Sequence, residues 1–347
     1  IKDFDEMNVI CGENAQGKTN LLESVYMLAM GRSFRTRFDR ELIGFGCDSA
    51  EILADVVSHE REQTVRILLR SVRKQITVNS VKKTASELGE TLNVVLFCPD
   101  DLNLIKEGAA ARRRLMDNAI SQIRPRYAEY LSQFNKFYES KTRILKDWRE
   151  KPSLLDTLDE FSDGMCRSSA QLIRYRASFA ARLADEAAPI HSEFSGADEK
   201  LGIEYSTVSA VKDPTASAKE IFYDLCDHME AHRRAELDSG QCLSGAHKDD
   251  LIISINGKNA RSFASQGQTR TAALSIKLAE REIYLDETGE YPILLLDDVL
   301  SELDTKRQEF VLNRIGGGQT LITCCEDEGI SRRTGGKVLH VGNGRIG

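Results

Sequence analysis

Residues 12–20 combine the residue types and spacing of a phosphate-binding loop. The segment reads GENAQGKTN and matches the pattern G-x-x-x-x-G-K-[ST]. The glycines allow successive backbone N–H groups to converge on phosphate oxygens. The lysine would reach the β- and γ-phosphates of a nucleotide, and the threonine hydroxyl would bind Mg²⁺. This segment, called the glycine loop below, predicts a nucleotide site formed by Gly12, Glu13, Asn14, Ala15, Gln16, Gly17, Lys18, Thr19 and Asn20.

The segments on either side place the glycine loop between a strand and a helix. Residues 7–11 form a short apolar run of the kind found in buried parallel strands. After the loop, apolar residues recur at helical spacing at Leu21, Leu22, Val25 and Leu28. Because a helix N-terminus adds a positive dipole, these flanks favour a working phosphate site over a chance glycine-rich turn.

Two adjacent carboxylates form a second candidate site. Residues 293–296, ILLL, predict a buried strand that ends at Asp297 and Asp298. In this position Asp297 would hold Mg²⁺, and Asp298 would orient or activate an attacking water. Alone, the pair is also compatible with a charged turn, but the glycine loop favours a catalytic role for Lys18, Asp297 and Asp298, with Thr19 and Asp297 as the metal ligands.

Composition limits the class of protein. The chain has 347 residues, of which 41% are apolar and 29% charged, as in an ordinary globular protein. Its formal net charge of −7 argues against a protein that simply coats nucleic acid. The eight cysteines include no C-x-x-C pair, which favours reduced thiols. No apolar run approaches the roughly 20 residues of a membrane helix and no signal-peptide pattern is present, so we expect a cytoplasmic protein.

Periodicity divides the chain into a strand-rich part and a helical part. Strands are predicted at 52–57, 64–69, 75–78 and 93–97. From residue 111 two heptad seams follow, the first interrupted by Pro125, and a short turn between them predicts an antiparallel arm. A β-like run at 203–208 and a helix at 219–237 come next. We therefore predict an α/β head from residues 1–110 and 240–347, with residues 111–239 as a mainly helical arm that includes a return strand near 203–208.

A small-residue turn opens the helical segment at 265–280. Its sequence, Ser265, Gln266, Gly267 and Gln268, is called the signature turn below and predicts a capped helix start that could offer N–H groups and a hydroxyl to a phosphate. The residues alone are equally compatible with a plain N-cap.

The order and spacing of these motifs resemble those of ABC-type ATPase heads, which are P-loop NTPases. More closely, the chain resembles the RecF family of bacterial repair ATPases through GENAQGKTNLLES, GRSFRT, SGAHKDDL, FASQGQTRTAALSIKLAE and LLLDDVLSELD. The resemblance covers essentially the whole chain and implies an SMC-like head with an inserted helical arm. It also assigns a D-loop near the dimer interface to Ser301, Glu302, Leu303 and Asp304.

The resemblance implies what such a head does. RecF-like proteins dimerise around ATP and Mg²⁺, and the signature turn of one subunit reaches the γ-phosphate held by the other. When ATP-bound they bind gapped or junction DNA, act with RecO and RecR, and promote RecA loading. Basic clusters lie at 32–40, 66–74 and 112–114, although solvated surface charge is an alternative for each. The candidate DNA contacts, made to phosphates, are Arg70, Arg73, Lys74, Arg112, Arg113 and Arg114.

Several departures from the family pattern matter. The chain opens at Ile1, short of the full hairpin that leads into the loop strand in this family, so we expect residues upstream. Asp298 stands where transporter ATPases usually carry Glu, and its shorter reach predicts weak, slow ATP hydrolysis. His247 is an open candidate for a residue near the phosphates. An SMC-like assembly head and an ABC transport subunit remain alternatives, although the long arm argues against the transporter.

Overall fold

The chain forms two compact units in a computed structural model, which describes residues 3–325 and 329–346. The first unit comprises Ile1–Leu104, Pro189–Asp198 and Ser265–Gly347, and the second comprises Ile105–Ala188 and Glu199–Ala264.

Strands and helices alternate along the first unit, whereas helices dominate the second. The strands are β1 (Met7–Cys11), β2 (Ser49–Ser58), β3 (Arg61–Arg70), β4 (Lys74–Val78), β5 (Val81–Lys83), β6 (Val94–Phe97), β7 (Leu201–Ser206), β8 (Asp250–Ile255), β9 (Lys258–Asn259), β10 (Ile293–Leu296), β11 (Thr320–Cys324), β12 (Lys337–Gly342) and β13 (Arg345–Ile346). The helices are α1 (Lys18–Met30), α2 (Ala109–Ile123), α3 (Pro125–Asp147), α4 (Leu158–Ser195), α5 (Ala218–Ala231), α6 (Arg233–Ser239), α7 (Ala260–Phe263), α8 (Gln266–Thr288), α9 (Thr305–Arg314) and α10 (Ile330–Thr334).

A six-stranded sheet in the order β13-β12-β1-β11-β10-β6 forms the centre of the first unit. Strand β11 pairs in parallel with β1 on one side and with β10 on the other. The carboxyl ends of parallel strands meet at one edge of a sheet. The residues that follow β1, β10 and β11 are therefore brought together there, and the predicted α/β head is confirmed.

Helix α1 packs its apolar face into the core of the first unit. Leu22, Met27 and Ala29 are buried in a cluster that also includes residues of β3, β10 and β11. The helix ends at Gly31, whose φ of 64° is left-handed and whose N–H donates to the Met27 carbonyl over 2.8 Å. This packing fixes the helix N-terminus at Lys18, next to the sheet edge.

A second sheet of the first unit is antiparallel, in the order β2-β3-β4-β5. Val65, Ile67 and Leu69 of β3 are buried, and the residues between them are more exposed. This alternation is typical of a sheet with one face on the core. The strands predicted at 52–57, 64–69 and 75–78 coincide with β2, β3 and β4.

The helices of the second unit include the predicted antiparallel pair. The rings of Tyr127 and Tyr175 lie 5.6 Å apart and those of Phe137 and Phe161 lie 6.3 Å apart, so α3 and the first part of α4 run in opposite directions. The expectation that Pro125 interrupts the first helical segment is confirmed. Helix α2 ends at Ile123 and Pro125 is the first residue of α3, where its missing N–H and fixed φ cost little.

The boundaries of the two units differ from those expected from the sequence. Residues 105–110 and 240–264, expected in the head, belong to the second unit, where β8 pairs with β7. The return strand near 203–208 is Leu201–Ser206, two residues earlier than expected at each end. Conversely, residues 189–198 at the end of α4 belong to the first unit.

A buried arginine holds the second unit together. Arg176 is 2% exposed and donates to the Asp249 carboxylate over 2.6 Å and to Asp117 over 2.8 Å. Asp249 also accepts hydrogen bonds from Tyr205 and Thr207. Four segments that are distant in sequence thereby meet at one hydrogen-bonded ion-pair network.

We expect Asp249→Ala to lower the free energy of unfolding by about 3–5 kcal/mol, because it leaves a buried guanidinium without its closest carboxylate. Urea denaturation followed by circular dichroism measures the effect. The control is Asp163→Ala, which removes a surface ion pair with Arg167 and should leave the midpoint almost unchanged. Equal midpoints for both variants would contradict the prediction.

Candidate nucleotide site

The glycine loop lies at the sheet edge between β1 and α1, as its flanks predicted. Gly12 is required by space, because a Cβ there would overlap the carbonyl oxygen of Val341 on β12. Gly17 is required by conformation, since its φ is 106°. Ala15 also has a left-handed φ, of 63°. These close approaches and turns form a cradle of the shape that a bound phosphate needs.

The hairpin formed by β12 and β13 packs on the glycine loop. The sequence did not predict this contact. The N–H of Asn343 donates to Gln16 Oε1 over 2.6 Å, and the N–H of Gly344 donates to the Gln16 carbonyl over 3.1 Å. Gln16 therefore holds the loop's shape through both its main chain and its side chain. No feature of residues 342–345 other than turn-forming glycines signals this contact.

The Lys18 ammonium turns back over the loop. Lys18 is 4% exposed, and its Nζ donates to the carbonyls of Gly12, over 2.5 Å, and of Glu13, over 3.2 Å. The Sγ atom of Cys325, the residue after β11, lies 3.7 Å from the same Nζ. A buried cation held by carbonyls beside a cradle of N–H groups is suited to phosphate oxygens.

Thr19 and Asp297, the two predicted metal ligands, are in contact. The Thr19 hydroxyl donates to Asp297 Oδ1 over 3.1 Å, and the Thr323 hydroxyl donates to the same oxygen over 2.9 Å. Mg²⁺ is commonly bound by one carboxylate and one hydroxyl together with substrate phosphates and water. These residues fit that requirement, and among the residues described no cluster of three or more His, Cys, Asp or Glu forms another metal site.

Asp298 combines a left-handed backbone conformation with a partly buried carboxylate. Its φ of 53° lies in the left-handed region, which Asp tolerates better than most residues. Its N–H donates to the Thr323 hydroxyl over 2.9 Å, and its Oδ1 is buried without a hydrogen-bond partner within the described residues. Burial raises the pKa of this carboxyl, and Asp297 raises it further, while Lys18 acts in the opposite direction.

Thr323 is a site residue that sequence reasoning did not find. It bonds to both aspartates because β11 pairs in parallel with β10, which ends directly before them. The available signal was a polar residue within the buried strand Thr320–Cys324, which becomes meaningful only when its neighbouring strands are known.

The signature turn begins α8 with a capping box. Ser265 Oγ accepts from the Gln268 N–H over 3.2 Å, and the Gln268 side chain accepts from the Ser265 N–H over 2.9 Å. The predicted capped helix start is thus confirmed, and its role at a phosphate stays a prediction. The cap uses the Gln268 N–H, so the N–H groups that point out of the start of α8 are those of Gln266 and Gly267.

Two arginines that the sequence analysis did not assign connect the signature turn to the D-loop. Arg270 donates to the Glu302 carbonyl over 2.7 Å and pairs with its carboxylate over 3.1 Å. Arg307 contacts the Gly267 carbonyl over 3.4 Å and pairs with Asp304. Asp304 in turn caps α9. The two motifs therefore form one surface.

The basic candidates separate into exposed side chains and side chains held by other residues. Arg70, Arg73 and Arg114 are exposed, whereas the ammonium of Lys74 pairs with Asp39 over 2.9 Å. The expectation for Arg112 was wrong. It is 3% exposed and its guanidinium pairs with Asp250 on β8 over 2.7 Å, so it is structural. The neighbouring Arg113 donates to the Asp249 carbonyl over 2.7 Å.

His247 takes part in the packing of the second unit. Its Nε2 is 2.9 Å from the Cys242 carbonyl, and its ring lies 4.7 Å from that of Tyr138. Burial lowers its pKa to about 4, with a smaller opposite effect from the bond to Cys242. The imidazole is therefore neutral at pH 7.

We expect acid to destabilise the protein through His247. The unfolded chain binds this proton below about pH 6.5 and the folded chain only below about pH 4, so stability present above pH 6.5 is lost as pH falls. At pH 5 the loss is about 2 kcal/mol. Urea denaturation at pH 8 and pH 5 should show a smaller pH effect in His247→Gln than in the wild type. Identical pH effects would contradict this assignment.

No helix in the described ranges is both long and apolar enough to cross a membrane.

Comparison with known proteins identifies relatives along the full length of the chain. The family model for the RecF/RecN/SMC N terminal domain matches residues 1–335. The DNA replication and repair protein RecF of Acetivibrio thermocellus is 38% identical over 344 residues, which cover 98% of this chain and 93% of that protein. The structure of the recombination mediator protein RecF-ATP in the RecFOR pathway has a TM-score of 0.91 at 33% identity and covers 100% of this chain and 92% of its own. An Smc head domain from Pyrococcus furiosus, with a TM-score of 0.54 and 15% identity over 99% of this chain and 89% of its own, has a related fold.

Proposed function

Because the chain belongs to the RecF family of DNA replication and repair proteins, we propose that it is an ATP-dependent DNA-binding protein of recombinational repair. The observation that carries this proposal is the meeting of Lys18, the Thr19–Asp297 pair and Asp298 at one sheet edge. The relative of 33% identity is described as RecF-ATP, which supports ATP as the nucleotide.

The glycine loop residues would hold the phosphates of ATP, with Lys18 turning from the loop carbonyls to the β- and γ-phosphates. Thr19 and Asp297 would hold Mg²⁺, which would neutralise phosphate charge. The unpartnered Oδ1 of Asp298 would accept a hydrogen bond from the attacking water and orient it. Since the Asp side chain is one methylene shorter than Glu, we propose weak, slow hydrolysis that serves as a release step.

ATP would act between two copies of this chain. The signature turn carries N–H groups at the start of α8 and is tied to the D-loop by Arg270 and Arg307, so both motifs would face the partner together. We propose that the partner's signature turn completes the γ-phosphate site. ATP would then hold a homodimer together, and hydrolysis would open it.

DNA would be held mainly through its phosphates, with Arg70, Arg73 and Arg114 as the accessible candidates. We propose gapped or junction DNA as the substrate, RecO and RecR as partners, and RecA loading as the outcome, in the cytoplasm where bacterial DNA lies. The RecFOR pathway to which the similar solved structure is assigned supports these partners.

Fluorescence anisotropy of a labelled gapped duplex tests this function. We expect binding that requires ATP and Mg²⁺ and that weakens as salt rises from 50 to 200 mM. Light scattering on the same samples should show a dimer only with ATP. An ATP-dependent dimer without DNA binding would instead support an SMC-like assembly head or a transport subunit.

A further inference from the structure

One end of the antiparallel sheet in the first unit carries apolar side chains that are exposed to solvent. Phe45 is completely exposed, Val72 is 95% exposed and Phe38 is 57% exposed. These three residues are called the apolar tip below. Exposed apolar groups are common singly, but several together with aromatic rings indicate a binding surface.

The register of the sheet gathers the apolar tip. Strand β2 begins at Ser49, which pairs with Arg70 at the end of β3, so the segment 44–48 enters the sheet beside the β3–β4 turn that carries Val72. The short 3₁₀ turn Asp39–Leu42, which follows Phe38, packs against β3. Lys74 fixes this arrangement through its ion pair with Asp39.

A tight backbone turn at residues 44–47 holds Phe45 away from the core. The N–H of Cys47 donates to the Gly44 carbonyl over 3.0 Å, which closes a four-residue turn. Gly46 has a φ of 78°, as the third residue of a type II turn requires. Phe45 occupies the second position of this turn, and its ring does not pack on the core. A turn built from two glycines thus projects a large apolar side chain into solvent.

Guanidinium groups surround the apolar tip. Arg37, Arg40, Arg70 and Arg73 are exposed, and within residues 3–325 and 329–346 none of the four forms an ion pair. The Arg40 guanidinium lies over the Phe38 ring, 5.3 Å from its centroid. Aromatic rings beside unpaired arginines match a ligand that has flat apolar faces and regularly spaced anions.

We propose that the apolar tip binds unpaired DNA bases at the junction of single and double strands, with the arginines on the adjacent phosphates. Bases within a duplex are already stacked, whereas an unpaired base gains a partner when it stacks on Phe45 or Phe38. The density of unpaired positive charge favours nucleic acid over a protein partner. The inference rests on the proposed function and adds the place and the physical basis of substrate choice.

The test compares two duplexes with equal numbers of phosphates, one blunt and one with a single-stranded tail, each with ATP and Mg²⁺. The double variant Phe38→Ala, Phe45→Ala should bind the tailed duplex about tenfold more weakly and the blunt duplex within about twofold of the wild type. With 2-aminopurine as the first unpaired base, the wild type should quench its fluorescence and the variant should not. Tyr223→Ala, at another exposed aromatic residue on α5, is the matched control.

Three binding results would overturn the inference. Wild-type affinity of the double variant for the tailed duplex would overturn the inference and assign the tip to another contact, while the proposed function would stand. Equal weakening on both duplexes would also overturn it, because unpaired bases would then have no special role. If the wild type binds neither duplex with ATP, the proposed function and this inference fail together.

Discussion

Lys18→Ala is expected to abolish ATP-dependent dimerisation and DNA binding together. The variant keeps the loop but loses the ammonium that donates to the Gly12 and Glu13 carbonyls and would reach the nucleotide phosphates. Loss of a charge-assisted bond to phosphate costs about 3 kcal/mol, which is roughly a 150-fold loss of ATP affinity. Binding of a fluorescent ATP analogue, light scattering and DNA anisotropy measure the three effects in one preparation.

The control for Lys18→Ala is Lys136→Ala, which removes an exposed lysine from α3. It should leave all three measurements unchanged, and circular dichroism should show that both variants are folded. A Lys18→Ala protein that still binds DNA only when ATP is present would contradict the role of the glycine loop. DNA binding that is independent of ATP in wild type and variant alike would separate the DNA surface from the nucleotide site.

Asp298→Asn is expected to slow hydrolysis by about 10²-fold or more while ATP binding is retained, because a neutral amide oxygen holds the attacking water by a weaker hydrogen bond than a carboxylate and cannot take up its proton. Asn keeps the size of the side chain and tolerates the left-handed φ of 53° at this position, so the backbone should not change. Since hydrolysis is proposed to open the dimer, the ATP-bound dimer should live correspondingly longer. Phosphate release measures the hydrolysis rate, and the decay of light scattering after ATP is removed measures the lifetime.

Two results would contradict the assignment of Asp298. Undiminished phosphate release would show that another group positions the water, and rapid dissociation with hydrolysis blocked would show that hydrolysis does not open the dimer. Asp156→Asn, a surface change in the second unit, is the matched control and should behave as the wild type.

The sequence predicted the features that depend on neighbouring residues in the chain. The spacing of Gly12, Gly17 and Lys18 specifies a loop whose geometry is local, and the apolar runs beside it specify the strand and the helix. The antiparallel strands and the α3–α4 pair followed from periodicity for the same reason. Where a proline stands near a helix start, as Pro125 does, periodicity alone does not separate a kink from a new helix.

Only the tertiary structure decided which side chains meet across large distances in sequence. Arg112, Arg113 and Arg114 look alike in the sequence, yet successive helical residues point about 100° apart, and β8 pairs with the first. Thr323 joins the site because β11 lies beside β10, whose carboxyl end carries Asp297 and Asp298. The sequence by itself thus determined the nucleotide loop and the class of fold. Whether a given charged residue lies in the core, in the site or on the surface depended on strand order and helix rotation. No short stretch of chain encodes these two properties.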